Sequence, residues 1–294
     1  MKLLAKFNLI LLVIFVAGGL LISHLAYSFL IGNARREVLQ QARLMLASAQ
    51  SVRDYTASDL SPLLQQNPRH RLRFLSETIP FYGATTTFNS LRKNNPDYID
   101  YLYRETALNP TNLEDRASDW EADVINELRN HGEPQITSER STPAGPSLYI
   151  ANPIKVSSDC LECHGVPSAA PKAMLAVYGS ANGFGWKVDE IVGAQIVSVP
   201  MAVPIEIANR AYHQLLVYLV LTLIGAILAL DTAVYFFVIR PLKTVSATAD
   251  RVSRGEKNVP PIKVKGRDEI ATVASSFNRM QLSLAKALKM IEEE

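Results

Sequence analysis

Cysteine is nearly absent from this chain, with two residues in 294. With no third thiol, neither a competing disulfide nor a four-thiolate zinc site can be assembled. An excess of charge is also lacking: 30 basic and 28 acidic side chains leave a formal net charge of +2. That balance gives no electrostatic footprint for nucleic acid. Aromatic residues make up only 8%, and no low-complexity tract interrupts the chain. There is no nucleophile elbow, no H-E-x-x-H and no phosphate-binding glycine loop. The chain therefore reads as a non-enzyme with no catalytic residues.

The two cysteines occur together, in Cys160-Leu161-Glu162-Cys163-His164. C-x-x-C-H is the attachment signature of c-type haem. Each thiol can add to one vinyl group of a single porphyrin, and the adjacent imidazole can ligate the iron. The expected cofactor is one covalent haem c per chain, bound by Cys160 and Cys163, with His164 as proximal iron ligand. A redox dithiol would call for a thioredoxin-like βαβ setting, and none surrounds the motif. Half a zinc site would lack its partner ligands. Haem c is attached on the outer side of the bacterial inner membrane, so the motif requires an exported segment.

Two long apolar runs flank such a segment, at residues 9–31 and 215–239. Each exceeds the ~20 residues a helix needs to cross a bilayer. Lys2 and Lys6 precede the first, and Arg240 and Lys243 follow the second. Arg35, Arg36 and Arg210 blur the charge asymmetry, and the haem motif decides it by placing the middle outside. The expected organisation is a cytoplasmic N-terminus (1–8), a first membrane helix (9–31), a periplasmic domain (32–212), a second membrane helix (213–239) and a cytoplasmic segment (240–294). The first run is longer than a signal-peptide core. His24 and Asp231 lie within the runs, towards helix ends, where they can reach the interface or face a partner helix.

Within the exported segment, Val38, Ala42, Met45, Leu46 and Ala49 recur at helical steps up to Asn67-Pro68. Helical stretches are expected at 71–77, 88–93, 97–106 and 118–130, and strands at 147–156, 173–178 and 190–199. Helices followed by antiparallel strands predict an α+β domain, with the haem motif in the loop between its first two strands. Beyond the second run, Leu242, Val245, Ala249 and Val252 step by three and four. Gly255 ends that helix, and Val259 and Ile262 anchor a connector held extended by Pro260-Pro261. Ile270, Val273, Phe277, Met280, Leu284, Ala287 and Ile291 continue the alternation. Two short helices with such seams cannot bury them alone and predict a parallel four-helix bundle in a homodimer.

Two resemblances follow. Arg240-Pro241-Leu242, Gly255, Asp268-Glu269-Ile270 and Ser276-Phe277-Asn278-Arg279-Met280 resemble a HAMP domain, the signal-relay module of bacterial receptors, over 235–290. Most of 35–202 resembles a family of haem-c, PAS-like sensor domains, catalogued as domain of unknown function 3365. The residues are Tyr103-Arg104-Glu105, Ala107 to Asn112, Trp120-Glu121, Pro153-Ile154, Cys160 to Gly165, Pro171, Tyr178-Gly179, Gly183-Phe184-Gly185-Trp186 and Val199-Pro200-Met201. This resemblance implies a PAS-like α+β fold carrying haem at Cys160, Cys163 and His164, in a membrane receptor.

The sequence names no sixth ligand; His70, His131, Met45, Met174 and Met201 are exported candidates, and His213 sits at the membrane boundary. Arg92, Arg104 and Arg116 are candidates for the haem propionates. The expected function is a multi-pass inner-membrane sensor of redox state or a small diatomic gas, with both termini cytoplasmic. It would be a homodimer through HAMP, passing its signal to a separate protein such as a histidine kinase or cyclase. The alternatives are a membrane-anchored monohaem cytochrome in periplasmic electron transfer, and a receptor whose PAS-like domain binds an organic ligand without haem.

Overall fold

The computed structural model describes residues 3–66, 73–256, 258–263 and 266–292; Lys2, the Asn67-Pro68 break and His70 lie outside them. The chain divides into two compact units, Tyr27–Tyr212 and Met1–Ala26 with His213–Glu294. Helix α1 spans Leu3–Tyr55. A π turn at Thr56–Leu60 follows, then α2 at Ser61–Gln65. A second π turn, Tyr235–Ile239, joins α7 (Ala202–Val234) to α8 (Arg240–Ser253). Both π turns stop just before a proline, Pro62 and Pro241, in the first turn of the next helix. A proline has no N–H to give to the residue four positions back, so the ladder widens there.

In the first unit a four-stranded antiparallel sheet carries the domain. Its strands are β1 (Leu102–Ala107), β2 (Ile136–Thr142), β3 (Gly145–Lys155) and β4 (Ile191–Pro200). The order β1-β4-β3-β2 puts the last strand between the first and third. On one face, Val38, Ala42, Leu46 and Ala49 of α1 pack with Ala84 and Phe88 of α3 (Pro80–Asn94). They cover Tyr103, Leu148, Ile150, Val197, Val199 and Met201. On the other face, Val124, Ile125 and Leu128 of α4 (Asp119–His131) cover Tyr149, Ala151, Ala194 and Ile196. The result is the α+β, PAS-like architecture expected, with helices on both faces of one sheet.

Several local expectations are corrected. Residues 102–107 form β1 rather than a helix. The inward side chains are Tyr103 and Glu105, so a buried carboxylate masks the period of two. Residues 136–142 form an edge strand in which only Ile136 is buried, so its apolar signal is weak. Residues 173–178 are not a strand but lie in helix α6 (Lys172–Tyr178). A short apolar run cannot declare its own period; here Pro171 opens the helix and Gly179, at φ +76°, closes it. Residues 73–77 form no α-helix; a 3-10 turn occupies Ser76–Thr78.

In the second unit, two helices are long and apolar enough to cross a membrane, and their most apolar windows are uncovered by protein. Asn8 Nδ2 donates to Asp231 Oδ2 at 3.0 Å, so Asp231 faces the neighbouring helix as expected. Helix α8 ends at Gly255, at φ +77°. Asp268 then caps α9 (Glu269–Glu292) by accepting from the Ala271 N–H at 2.8 Å. The connector is tied to α9 by side chains: Asn278 bonds both the N–H and C=O of Ile262 at 2.9 Å, and Gln281 donates to the Val259 carbonyl. Ala271 and Ala274 are buried on that same side. The seam residues Leu242, Val273, Met280 and Leu284 instead remain exposed.

Leu128→Ala should cost about 2–5 kcal/mol, because a fully buried leucine leaves a cavity between α4 and the sheet. Chemical unfolding followed by tryptophan fluorescence checks it; a change under ~0.5 kcal/mol would show that this face is not a packed core.

Candidate functional site

The motif lies at the end of the sheet where β3 finishes and β4 begins. After Lys155, the Val156 N–H bonds the Glu190 carbonyl and the Asp189 N–H bonds the Val156 carbonyl. This clamp launches a 3-10 turn, Ser158–Cys160, that runs into the one-turn helix α5, Leu161–His164. The motif is thus helical, between β3 and β4, where a loop between strands was expected. A single turn brings positions 160 and 163 onto one side, since residues three apart are helix neighbours. Both thiols are free and half-exposed.

His164 is held on three sides. Its ring stacks on Trp186, with centroids 4.0 Å apart and planes within 10°. Nδ1 lies 2.8 Å from the Gly183 carbonyl and 3.3 Å from Thr111 Oγ1. A carbonyl can only accept, so Nδ1 carries the proton and Nε2 keeps its lone pair. The loop that supplies these partners is fastened to the motif by Gly185 N–H to Gly165 O at 2.7 Å and Trp186 N–H to His164 O at 3.3 Å. Metal-binding histidines are oriented by such a bond from the far ring nitrogen.

Burial sets the electrostatics of the motif. Burial pushes the Cys163 thiol above its ordinary range, and Glu162 and Cys160 add to the shift. Burial lowers His164, partly offset by the Gly183 carbonyl, which keeps the imidazole neutral and able to ligate. Among the described residues, no group of three or more His, Cys, Asp or Glu is gathered to hold a metal ion. Cys160, Cys163 and the His164 imidazole are the residues here that would hold a haem, the thiols by thioether bonds and Nε2 as a ligand to its iron.

The other candidates fall elsewhere. Met201 is fully buried in the core beneath α1, and Met45 packs against that core. Met174 is buried on α6. His131 is exposed, with Nδ1 3.2 Å from the Glu127 carbonyl, and His213 belongs to the other unit. Arg92 donates to the Ile99 carbonyl. Arg104 donates to the carbonyls of Glu114 and Arg116, both at 3.0 Å. These two guanidiniums brace backbone, while Arg116 is exposed. Thr111, Gly183 and Trp186 stand among the residues that carry the family resemblance, and Gly183 reads from the sequence as a tight-turn glycine, but sequence reasoning gave none of them a contact with His164, because those contacts are long-range. It also missed a buried cluster on the α1 face: Arg53 pairs with Glu105, and Tyr103 donates to Glu105 at 2.5 Å. Burial and Glu105 push the Tyr103 phenol far above its usual range.

Comparison with known proteins gives this arrangement a class. Residues 235–286 match the HAMP domain, and with membrane-length helices before and after the sheet domain in the sequence the architecture is that of a membrane signal-transduction receptor. Residues 32–200, more than half of the chain, match the Tll0287-like family. The chain belongs to the Tll0287-like family. Among solved structures it is similar to the cyanobacterial heme-protein Tll0287, at 16% identity and a TM-score of 0.41, over 56% of this chain and 95% of that one. No curated protein gives a significant match.

Gly183 and Gly185 both sit at positive φ, +78° and +76°. A Cβ on Gly183 would lie 2.0 Å from Thr111 Oγ1 and 2.7 Å from its backbone N, whereas one on Gly185 meets nothing within 4 Å. Gly183→Ala should therefore lower the unfolding temperature clearly more than Gly185→Ala, which carries only the backbone strain of ~1–2 kcal/mol. Equal losses would show that Thr111 and Gly183 do not touch.

Proposed function

We propose that this protein is a bacterial inner-membrane receptor whose periplasmic domain carries one haem c on Cys160 and Cys163, with His164 Nε2 as the proximal iron ligand. The observation that carries the reading is the His164 Nδ1 bond to the Gly183 carbonyl, beside two free thiols. When bound, the haem supplies an iron that changes oxidation state or accepts a small diatomic gas. The chain's own residues do the rest. Trp186 and Gly183 fix the imidazole plane and its tautomer, so Nε2 keeps one direction in which it would meet the iron. Gly165 and Gly185 keep the supporting loop against the motif.

The membrane helices occupy 9–31 and 213–239, with both termini cytoplasmic, and the HAMP segment pairs in a homodimer. The exposed seam of Leu242, Val273, Met280 and Leu284 supports that pairing. Its face is distinct from the Ala271, Ala274, Asn278 and Gln281 side already used against the connector. Haem-linked movement of the second membrane helix switches the bundle between two packings; interface shifts of ~1–2 Å suffice. The signal passes to an output domain or a separate protein, such as a histidine kinase or cyclase.

Electron transfer is the competing reading, because both cysteines are only partly buried and a haem attached to them would lie within reach of a partner. Met280→Cys, cross-linked with a bismaleimide in membranes, separates the two. A receptor gives a dimer band whose yield differs between oxidised and reduced haem, and Phe277→Asp abolishes the band while the haem stays. An electron carrier gives no band, or one indifferent to haem state. In the same preparations, a reduced spectrum shifted by CO assigns the stimulus to gas; one indifferent to CO assigns it to redox state.

A further inference from the structure

On the α1 face, the sheet changes character along its length. At the end near Pro200 the facing rows are apolar, Tyr103, Val197 and Ile150 and then Leu148 and Val199. Further along, towards the haem motif, one complete row is polar. Glu105 is in register with Gln195, and Gln195 with Asn152. Asn152 Oδ1 then accepts from Gln135 at 2.9 Å. Glu105 and Gln195 are buried, so this row is interior rather than a solvated edge. Above it lies a cavity of about 390 Å³, lined by Gln50, Arg53, Asn152, Ile154, Lys155 and Gln195 among others.

We infer that this cavity is a carboxylate-binding site, with Arg53 and Lys155 as its cationic groups and the amides of Asn152 and Gln195 as neutral donors; the Gln50 amide at its rim is bonded to Asp54. Arg53 is held in place from behind by Glu105, so its guanidinium is oriented before a ligand arrives. Among the described residues, Lys155 is paired with Asp189, at 2.9 Å and with both side chains more than half exposed. Such a pair is worth little, and Lys155 can turn inward at small cost. With Glu105 beneath, the site balances one negative charge but not two, which selects a carboxylate over a phosphate dianion. The carboxylate has two sources, a free small acid or a propionate of the protein's own haem. Lys155 is five residues before Cys160, at most about 17 Å of chain, so the porphyrin's acid arms are within reach. The second source rests on the haem assignment; the first does not.

The test uses the full chain in detergent, haem-loaded and as Cys160→Ala/Cys163→Ala, titrated with sodium propionate against sodium chloride and sodium phosphate at matched ionic strength. In the chain without attached haem, the unfolding temperature should rise saturably with propionate alone, and Lys155→Gln and Gln195→Leu should each abolish or weaken that rise. Neither substitution removes the Arg53 and Tyr103 partners of Glu105, and far-ultraviolet circular dichroism checks that each variant is folded. If the haem-loaded chain responds alike, the ligand is a free acid. If it does not respond and its resonance Raman propionate-bending band moves in Lys155→Gln, the ligand is the haem's own carboxylate. A rise that survives both substitutions overturns the inference, as does no rise in either chain with an unmoved propionate band. Haem stain of the denatured chain reports separately on attachment, so failure of the haem reading leaves the free-acid result interpretable.

Discussion

The bond from His164 Nδ1 to the Gly183 carbonyl is the constraint on which the motif end of the domain depends. A histidine with a free ring flips and protonates; one that donates to a fixed carbonyl presents a single lone pair in a single direction. That fixity needs the 183–186 loop to pass close over Thr111, which a glycine at φ +78° permits. It also needs the flat contact with Trp186, and the clamp that joins β3 to the start of β4. The sheet is in this sense the mount for the imidazole. Its order puts the ends of β1 and β3 beside the start of β4, and the loops from all three converge there.

A second constraint works from the face that α1 covers. Arg53, near the C-terminal end of α1, places its charge against Glu105 in the interior of the sheet. Burial disfavours the charged guanidinium, but Glu105 outweighs it and holds Arg53 above its ordinary value. Breaking a buried pair by removing one partner typically costs about 3–5 kcal/mol. Helix α1 is therefore attached to the sheet by a directional polar bond as well as by Val38, Ala42, Leu46 and Ala49. Apolar contacts tolerate sliding, whereas an ion pair specifies register. A change at the polar end of the sheet consequently bears on the same helix that forms the first membrane-length segment.

Much of this was legible where a local rule governed. The helix expected over 118–130 is α4, and the structure shows why it forms there: Ser118 and Glu121 close a capping box, with the Ser118 N–H donating to Glu121 at 2.8 Å, and Gly132 at φ +65° ends it. The two seams of the HAMP segment were readable because a repeat of three and four survives in any helix. Strands β3 and β4 showed their apolar character directly. Legibility ended where tertiary contact chose the structure. β1 hides an inward glutamate whose partner lies 52 residues away, and β2 is an edge with little to bury. In the site, the thiols and imidazole were evident from five consecutive residues, but Thr111 is 53 residues from His164 and Gly183 is 19. No spacing rule links them.

The most direct test of the central claim is the intact mass of the purified protein from cells co-expressing a cytochrome c maturation system. The account predicts a mass greater than the polypeptide by one haem after denaturation, and the bare polypeptide mass for Cys160→Ala/Cys163→Ala. A bare mass for the unsubstituted chain, in cells that mature other c-type cytochromes, would contradict it.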